Sequence, residues 1–394
     1  MNALGWVLFA LPVALAAYTY GLYPALLWLV ARRADPRHAD RGDLPQVSVV
    51  IPAYNEEAQI RGAIEALIAQ DYPGNRRQIL ILSDASTDRT DEIVRAYASQ
   101  GVELLRMPTR GGKTAAENAS CGVLRGEIVI NSDSSVRLHP RAIWELVAAM
   151  ADPRVGVAST RDVSVSAETQ EANLAEAGYV GYEMKLRRLE TRAGGIIGAS
   201  GSGYAIRTVL HKIPIRHDLS RDFAAALTAR IHGYRTISVD SAICYVPRTT
   251  SLRAEYRRKV RTIARGIETL LSKRSLLDPT QYGSFSWKLL SHKVCRWLVP
   301  TFVFPGVLGL GILALTHLWA QVLLCLGGLG VVTAVVGAMW PAERAMPRFL
   351  RVATFAAAAN LAVVHALLRV TFGHDDHLWE PTRRSPVLVQ PSAS

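Results

Sequence analysis

Three short segments hold the residue types that could do chemistry. Pro52-Ala53-Tyr54-Asn55-Glu56-Glu57 leaves one apolar run, Ser83-Asp84-Ala85-Ser86-Thr87-Asp88 leaves a second, and Asn131-Ser132-Asp133 leaves a third. Taken singly, each is ordinary turn and cap chemistry, since short polar side chains bond readily to nearby backbone. Taken together they put carboxylates on one rim, where like charges repel unless a cation or a polar ligand shares the space. A ligand site at that rim is the first expectation.

The elements that must position these loops are read from the apolar periodicity. Val47-Ser48-Val49-Val50-Ile51, stopped by Pro52, reads as a buried strand, and Ile60, Ile64, Leu67 and Ile68 then recur at helical spacing. Ile79 to Leu82 is the next strand, and Ser86-Thr87-Asp88 supplies N-cap chemistry for a helix reaching Ser99. Val102 to Leu105 and Ile128 to Ile130 read as further strands, with a helix from Lys113 to Val123 between them and another opened by Pro140. Strands alternating with helices at about 30-residue intervals predict an α/β fold with right-handed crossovers and a mostly parallel sheet. Ligands in such sheets bind beyond the carboxyl ends of the strands, which is where the three polar segments fall.

The two ends of the chain have another character. No charged residue occurs from Leu4 to Val30, a run long enough to cross a hydrocarbon core of about 30 Å. Ala14-Leu15-Ala16 resembles a signal-peptide cleavage site, but no basic residue precedes the run and it continues well past that point, so a retained helix over 1–31 is expected. Arg32, Arg33, Arg37 and Arg41 follow, a positive flank that marks the cytoplasmic side and places the middle domain there. A second apolar zone, 299–372, is broken at Thr316-His317 and at the basic loop Pro341 to Arg348, giving segments near 300–315, 319–340 and 349–372. The uncharged first turn, and Arg344 and Arg348 in the second, agree with that orientation. A third crossing would leave the polar tail 373–394 outside. Arg351, His365 and Arg369 fall near one face of that last segment, which fits either packing inside a bundle or a helix lying in the interface. Just before the zone, 284–298 mixes Trp287, Leu289 and Val294 with Lys288, His292 and Arg296, the pattern of a basic amphipathic interface helix.

A net charge of +12 raises nucleic acid as a partner. The basic residues border the apolar segments, however, where anionic lipid headgroups suffice, so membrane lipids and no nucleic acid are expected. Cys121, Cys244, Cys295 and Cys325 are scattered without a CxxC pair, which argues against a zinc site or a disulfide framework. Arg253, Arg257, Arg261 and Arg265 recur every four residues with Leu252, Tyr256, Val260, Ile263 and Ile267 on another side, an amphipathic helix with a basic stripe.

As an ordered set, the polar segments resemble the motifs of the inverting family 2 glycosyltransferases, which have the GT-A fold. The residues that carry the resemblance are Pro52 to Glu56, Asp84 with Ser86-Thr87-Asp88, Gly112-Lys113 with Asn118, and Gly126 through Asp133. It runs from Val47 to Gly266, and the flanking apolar segments are similar to the membrane-bound bacterial branch. The resemblance implies a GT-A-like domain over 45–280 in which Pro52, Ala53, Tyr54, Glu56, Asp84, Lys113, Asn131 and Ser132 hold the nucleotide. Asp133 would bind Mg²⁺ or Mn²⁺, which takes a few hard oxygen ligands together with substrate phosphates and offsets charge on the departing diphosphate. Asn131 stands where the family has an aspartate.

Gly198 to Arg207 resembles the glycine-rich segment near the acceptor and donor sugar, which brings in Gly201 and Ser202. Ser220-Arg221-Asp222-Phe223 matches the place of the catalytic base, with Asp222 as the base and Arg221 in place of the usual neighbouring acid; Asp218 is the fallback. Arg258-Lys259-Val260-Arg261-Thr262 keeps the arginine of the diphosphate-binding QxxRW motif without its Gln or Trp, leaving Arg258 and Arg261 as candidates. Trp379-Glu380-Pro381-Thr382-Arg383 resembles a tail motif that follows the last membrane helix in this branch.

The resemblance implies transfer of a sugar from a nucleotide sugar, UDP-linked, to a lipid-linked or glycan acceptor in cell-envelope or exopolysaccharide synthesis. The setting would be a multi-pass protein of the inner (plasma) membrane with its catalytic domain cytoplasmic, and polysaccharide-complex partners are an option. A processive synthase is the alternative within the class, opposed by the missing Gln and Trp. A nucleotide-binding scaffold subunit is the alternative outside it, motivated by Asn131, Arg221 and Thr262.

Overall fold

The computed structural model describes residues 2–31, 44–165, 174–247, 252–341, 344 and 346–373. The basic flank Arg32 to Arg41 and the motif Trp379 to Arg383 lie outside the described residues. The chain divides into two compact units, one built on the described parts of 1–29, 251–267 and 275–374, the other on those of 30–250 and 268–274.

The second unit is built on an eight-stranded sheet. Its strands are β1 (Val47–Ala53), β2 (Arg77–Ser83), β3 (Val102–Arg106), β4 (Ile128–Ser132), β5 (Arg137–Leu138), β6 (Val155–Val165), β7 (Gly203–Arg207) and β8 (Arg235–Pro247). They lie in the order β3-β2-β1-β4-β7-β6-β8-β5. All seven residues of β1 are buried, as a strand covered on both faces requires. It pairs in parallel with β2 on one side and β4 on the other, with Val49 opposite Ile79 and Ile130. β3 also joins in parallel, whereas β7 runs antiparallel to both β4 and β6. The expected parallel sheet is thus present over β1 to β4 and gives way to mixed pairing beyond it.

Alternation along the strands divides the core. Val49 and Ile51 face a cluster with Ile60, Ala63, Ile64 and Leu67 of helix α2 (Ile60–Ile68), an apolar stripe at i, i+3, i+4 and i+7. Val50 faces the opposite cluster with Val129, Tyr204 and Ile206. Each such buried Val or Ile contributes about 1.5–3 kcal/mol. Two helices are shorter than their sequence periodicity predicts: α3 spans Thr90–Arg95 and α4 spans Lys113–Ala119, each followed by a 3₁₀ turn. Asp88 Oδ1 accepts the Thr90 N–H at 2.9 Å, an Asx-type turn just ahead of α3, but the N-cap position itself is Arg89, which makes no side-chain cap bond, so the N-cap expected from that segment falls one residue short of the helix. The longer helices that follow in this unit are α5 (Ala142–Met150), α6 (Leu174–Arg192) and α7 (Arg221–Ile231), with a single helical turn at Thr208–His211 after β7.

The first unit contains four helices long and apolar enough to cross a membrane: α1 (Asn2–Ala31), α9 (Ser284–Ala314), α10 (Leu318–Ala338) and α11 (Arg348–Thr371). Helix α8 (Leu252–Ser272) precedes α9. The stretch 284–298, read from sequence as a separate interface helix, is continuous with the first C-terminal apolar segment, with a π turn at Leu290–Val294. Lys288, Ser291 and His292 are buried there. Helix α1 has its own π turn at Tyr18–Leu22, and the Tyr18 hydroxyl meets Ser291 Oγ at 2.6 Å and accepts the Trp287 indole N–H at 2.9 Å. A polar seam between apolar helices explains why the basic and aromatic residues of 284–298 look amphipathic without facing outward.

Candidate active site

The strand order 3-2-1-4 reverses direction at β1, and an open α/β sheet forms its ligand crevice at such a switch point. The polar segments leave β1, β2 and β4 there. The first two lace together: Asn55 Oδ1 accepts the Thr87 N–H at 2.8 Å, Glu56 N–H donates to Thr90 Oγ1 at 2.8 Å, and Glu57 N–H donates to Asp88 Oδ2 at 3.0 Å. Asn55 and Ala85 both adopt left-handed φ, 53° and 57°; for alanine this conformation costs roughly 1–2 kcal/mol, held by the surrounding bonds. Pro52 and Ala53 are buried at the end of β1, Glu56 is buried beneath the loop, and the Tyr54 ring carries the Arg110 guanidinium 3.9 Å from its centroid.

Asp84 is almost wholly buried, and its two carboxylate oxygens accept the backbone N–H groups of Gly111 at 2.7 Å and Gly112 at 2.8 Å. It therefore fixes the turn that delivers Lys113. Gly112 sits at φ 85°, a conformation open to glycine, which lets both amides point at one carboxylate.

Lys113 opens α4 and reaches across the end of β4. Its Nζ donates to Asp133 Oδ1 at 2.5 Å and approaches the Gly201 carbonyl at 3.5 Å. Burial works against the ammonium, but Asp133, Glu117 and Asp222 outweigh it and hold its pKa above the usual lysine value. Ser132 Oγ and the Asp133 N–H both donate to the Ser202 carbonyl, at 3.2 and 3.4 Å, joining the β4 rim to the glycine-rich segment. A Cβ on Gly201 would lie 3.1 Å from Asp222 Oδ2, so glycine is what lets that carboxylate come up to the segment. Asp222 Oδ1 accepts the Ser220 hydroxyl at 2.6 Å, and the residue lies in the first turn of α7, where the helix dipole favours a negative charge. Lys113, Asp133, Gly201, Ser202 and Asp222 thus converge.

Beneath them lies a cluster that joins the motif residues Arg221 and Asn118 to Glu117 and His211, which the sequence motifs did not single out. Arg221 is buried, with Nε 3.0 Å from Glu117 Oε2; its guanidinium also donates to Asn118 Oδ1 at 2.5 Å and meets His211 Nε2 at 3.3 Å. Burial pushes the Glu117 carboxyl upward, against the pull of Arg221 and Lys113. Burial, and then the Arg221 charge, hold His211 down at about 3, so its ring is neutral and can accept from the guanidinium. The arginine in the place of the family's acid is therefore paired with an acid on another helix, α4. Its signal was available: Glu117 falls four residues after Lys113, on the same face of α4.

Three sequence candidates remain, Arg258, Arg261 and Asp218. Arg258 and Arg261 are on α8, within the other unit, where Arg258 pairs with Glu255 at 2.6 and 2.8 Å. Asp218 is tied to Arg216. For a divalent cation the donors are few, and no group of three or more His, Cys, Asp or Glu gathers among the described residues. Asp133 is a quarter exposed, and Asn131 Oδ1 is buried without a hydrogen-bond partner. Ions that bind chiefly to substrate phosphates and water need only one or two protein oxygens, so this donor set fits Mg²⁺ or Mn²⁺.

An α/β sheet with this rim, followed by a mixed half carrying a carboxylate on a helix start, is a GT-A-like glycosyltransferase fold. The mannosyltransferase PcManGT from Pyrobaculum calidifontis, solved with GDP-Man and Mn²⁺, superposes with a TM-score of 0.71 at 21% identity, over 93% of this chain and 100% of that one. Residues 48–211 match the sequence model of Glycosyl transferase family 2, and the chain carries a glycosyltransferase domain of that family. A beta-monoglucosyldiacylglycerol synthase of Nostoc sp. is 25% identical over 324 residues, 77% of this chain and 66% of the relative, so the chain spans just under two thirds of that protein's length. An N-acetylglucosaminyltransferase of Rhizobium meliloti is 32% identical over 40% of this chain and 38% of its own.

Proposed function

We propose that the protein is an inverting glycosyltransferase that takes a UDP-linked sugar and passes it to a lipid-linked or glycan acceptor at the cytoplasmic face of the inner (plasma) membrane, in cell-envelope or exopolysaccharide synthesis. The observation that carries this reading is the convergence of Lys113, Asp133, Gly201 and Asp222 at the switch point of the sheet. The names of two relatives, a beta-monoglucosyldiacylglycerol synthase and an N-acetylglucosaminyltransferase, support transfer of a sugar and, for the first, a lipid acceptor.

In this reading the loops after β1 and β2 hold the nucleoside, with the Tyr54 ring backed by Arg110. Lys113 brings a fixed positive charge to the diphosphate. Asp133, with Asn131 beside it, would hold Mg²⁺ or Mn²⁺, and the bound ion offsets charge on the leaving diphosphate. Asp222 accepts the proton of the acceptor hydroxyl while that oxygen attacks the anomeric carbon from the face opposite the diphosphate. The new glycosidic C–O bond forms as the bond to the phosphate oxygen breaks, and nucleoside diphosphate departs with the electron pair. Ser220 fixes one oxygen of Asp222 and leaves the other toward Gly201.

The test is release of nucleoside diphosphate by membranes containing the protein, with a panel of nucleotide sugars and envelope acceptors. Turnover with one UDP-sugar, abolished in Asp222→Asn and Asp133→Asn, is expected. Binding of UDP without turnover on any acceptor would instead favour a scaffold role.

A further inference from the structure

The stretch from 193 to 202, between α6 and β7, forms no helix or strand, so bonds from its surroundings must fix its shape. Three elements supply them. From α6, the Arg187 guanidinium donates to the Gly198 carbonyl at 3.2 Å and to Ser159 Oγ at 2.7 Å. From β6, Ser159 Oγ also accepts the Ser200 N–H at 2.8 Å, and the Thr160 hydroxyl donates to the Gly203 carbonyl at 2.8 Å. From β4, Ser132 and Asp133 hold the Ser202 carbonyl.

β6 supplies one more group, the Asp162 carboxylate. Its Oδ2 accepts the Ser200 hydroxyl at 2.5 Å, the Ser202 hydroxyl bonds to the same carboxylate, and Thr160 Oγ1 lies 3.3 Å from Oδ1. Ser200 Oγ in turn accepts the Ser202 N–H at 3.2 Å. Burial pushes the Asp162 carboxyl upward, against these hydroxyls and the Arg187 charge. A carboxylate takes several donors at once, and bonds to it are stronger than those between neutral groups. Asp162 therefore grips both neighbours of Gly201. That glycine has no side chain to fix itself, yet its carbonyl meets Lys113 Nζ at 3.5 Å, and a Cβ on it would lie 3.1 Å from Asp222 Oδ2.

We infer that Asp162 is a positioning residue of the site: by gripping Ser200 and Ser202 it sets where Gly201 lies between Lys113 and Asp222. It acts through the two serines. An asparagine in its place has the same shape but one acceptor oxygen, and its amide hydrogens would face a Ser200 oxygen that already accepts the Ser202 N–H. The segment would then loosen at Ser200 to Ser202 while the loops after β1 and β2 keep their own bonds. The kinetic consequence rests on the glycosyl-transfer reading: a reacting arrangement displaced by about 1 Å loses about 10²-fold in rate.

The test compares Asp162→Ala and Asp162→Asn with the parent, in the full-length protein, by two readouts. The first needs no turnover: amide hydrogen exchange over peptides covering Ser200 and Ser202, with peptides from β1 as the internal control. Exchange at the two serines should be about tenfold faster in Asp162→Ala, and by less in Asp162→Asn, with β1 unchanged. Unchanged exchange there, or equally fast exchange in β1, would overturn the inference. The second is kinetic. In Asp162→Ala, kcat for diphosphate release should fall about 10²-fold, with KM for the nucleotide sugar and Kd for UDP within about threefold of the parent. A parental kcat, or a loss of UDP binding that tracks the loss of turnover, would overturn the positioning role. Should the alanine variant fail to accumulate, the isosteric Asp162→Asn carries both readouts, with a loss in kcat of about tenfold expected and a parental kcat overturning the inference. A parent that binds UDP without turnover would count against glycosyl transfer itself, and the exchange result would then decide Asp162 alone.

Discussion

The two halves of the rim treat their carboxylates in opposite ways. After β1 and β2, the acidic groups are consumed by the loops themselves: Asp84 is sealed against Gly111 and Gly112, and Asp88 and Glu57 bond to neighbouring backbone. After β4 and at the start of α7, Asp133 is a quarter exposed and pairs with Lys113, while Asp222 has one oxygen bonded to the Ser220 hydroxyl and the other turned to Gly201. In the proposed reading, the difference separates a half that shapes a pocket from a half that would move a proton or hold a cation. Acidic residues on one edge are therefore not one kind of evidence, and the way each spends its lone pairs tells them apart.

That division is broken most directly at Asp222. Asp222→Asn should lower turnover about 10³-fold while leaving UDP-sugar affinity within a few fold, because a positioned general base contributes about 10²–10⁴. Equilibrium binding measured beside diphosphate release checks it, and a variant with near-parental turnover would remove Asp222 from the chemistry. Next in size, Glu117→Gln leaves Arg221 buried without its counter-charge, and loss of one partner of a buried pair costs about 3–5 kcal/mol. Thermal unfolding in detergent should show this, and Glu117→Met with Arg221→Met together should recover much of the loss. Asp84→Asn should cost about 2 kcal/mol, since an amide can accept from only one of the two glycine N–H groups through its oxygen. Its kinetic signature should be a raised KM for the donor with kcat little changed; a collapse of kcat alone would place Asp84 in the reacting half.

Much of the first half was legible in the sequence, and the reason is local. Val47 to Ile51 and Ile79 to Leu82 are β-branched runs ended by polar turns, so strand identity and the direction of the loops follow from a few adjacent residues. The second half was less so. β7 is five residues long and antiparallel to partners some 45 to 79 residues away in the chain, a pairing with no local signature. Asp84 stood out in the sequence as a candidate, but its partners are backbone amides that any sequence possesses. Glu117 was visible only as a charge on a small helix, and its importance appears when Arg221 is seen to be buried against it. The π turn that turns 284–298 into the start of a long helix is likewise set by Tyr18 and Trp287, which are 269 residues apart.

The smallest effect expected is also the one that tests the buried layer without touching the reacting groups. His211 sits 3.3 Å from the Arg221 guanidinium and is held neutral, at about 3 against an unperturbed value near 6.5. Its folded-state pKa is depressed, so below pH 6.5 the unfolded chain takes up a proton that the folded chain refuses. Stability tied to this residue is therefore fully present above pH 7 and falls as pH drops through 6.5, by roughly 1.4 kcal/mol at pH 5.5, and continues falling until the pH reaches about 3. His211→Gln should flatten that part of the stability profile between pH 7.5 and 5.5 while the parent slopes. A parent profile with no slope attributable to His211 would mean that the ring is protonated or solvated in the folded protein, and the charge-balanced layer beneath Asp222 would have to be redrawn with Glu117 facing two cations.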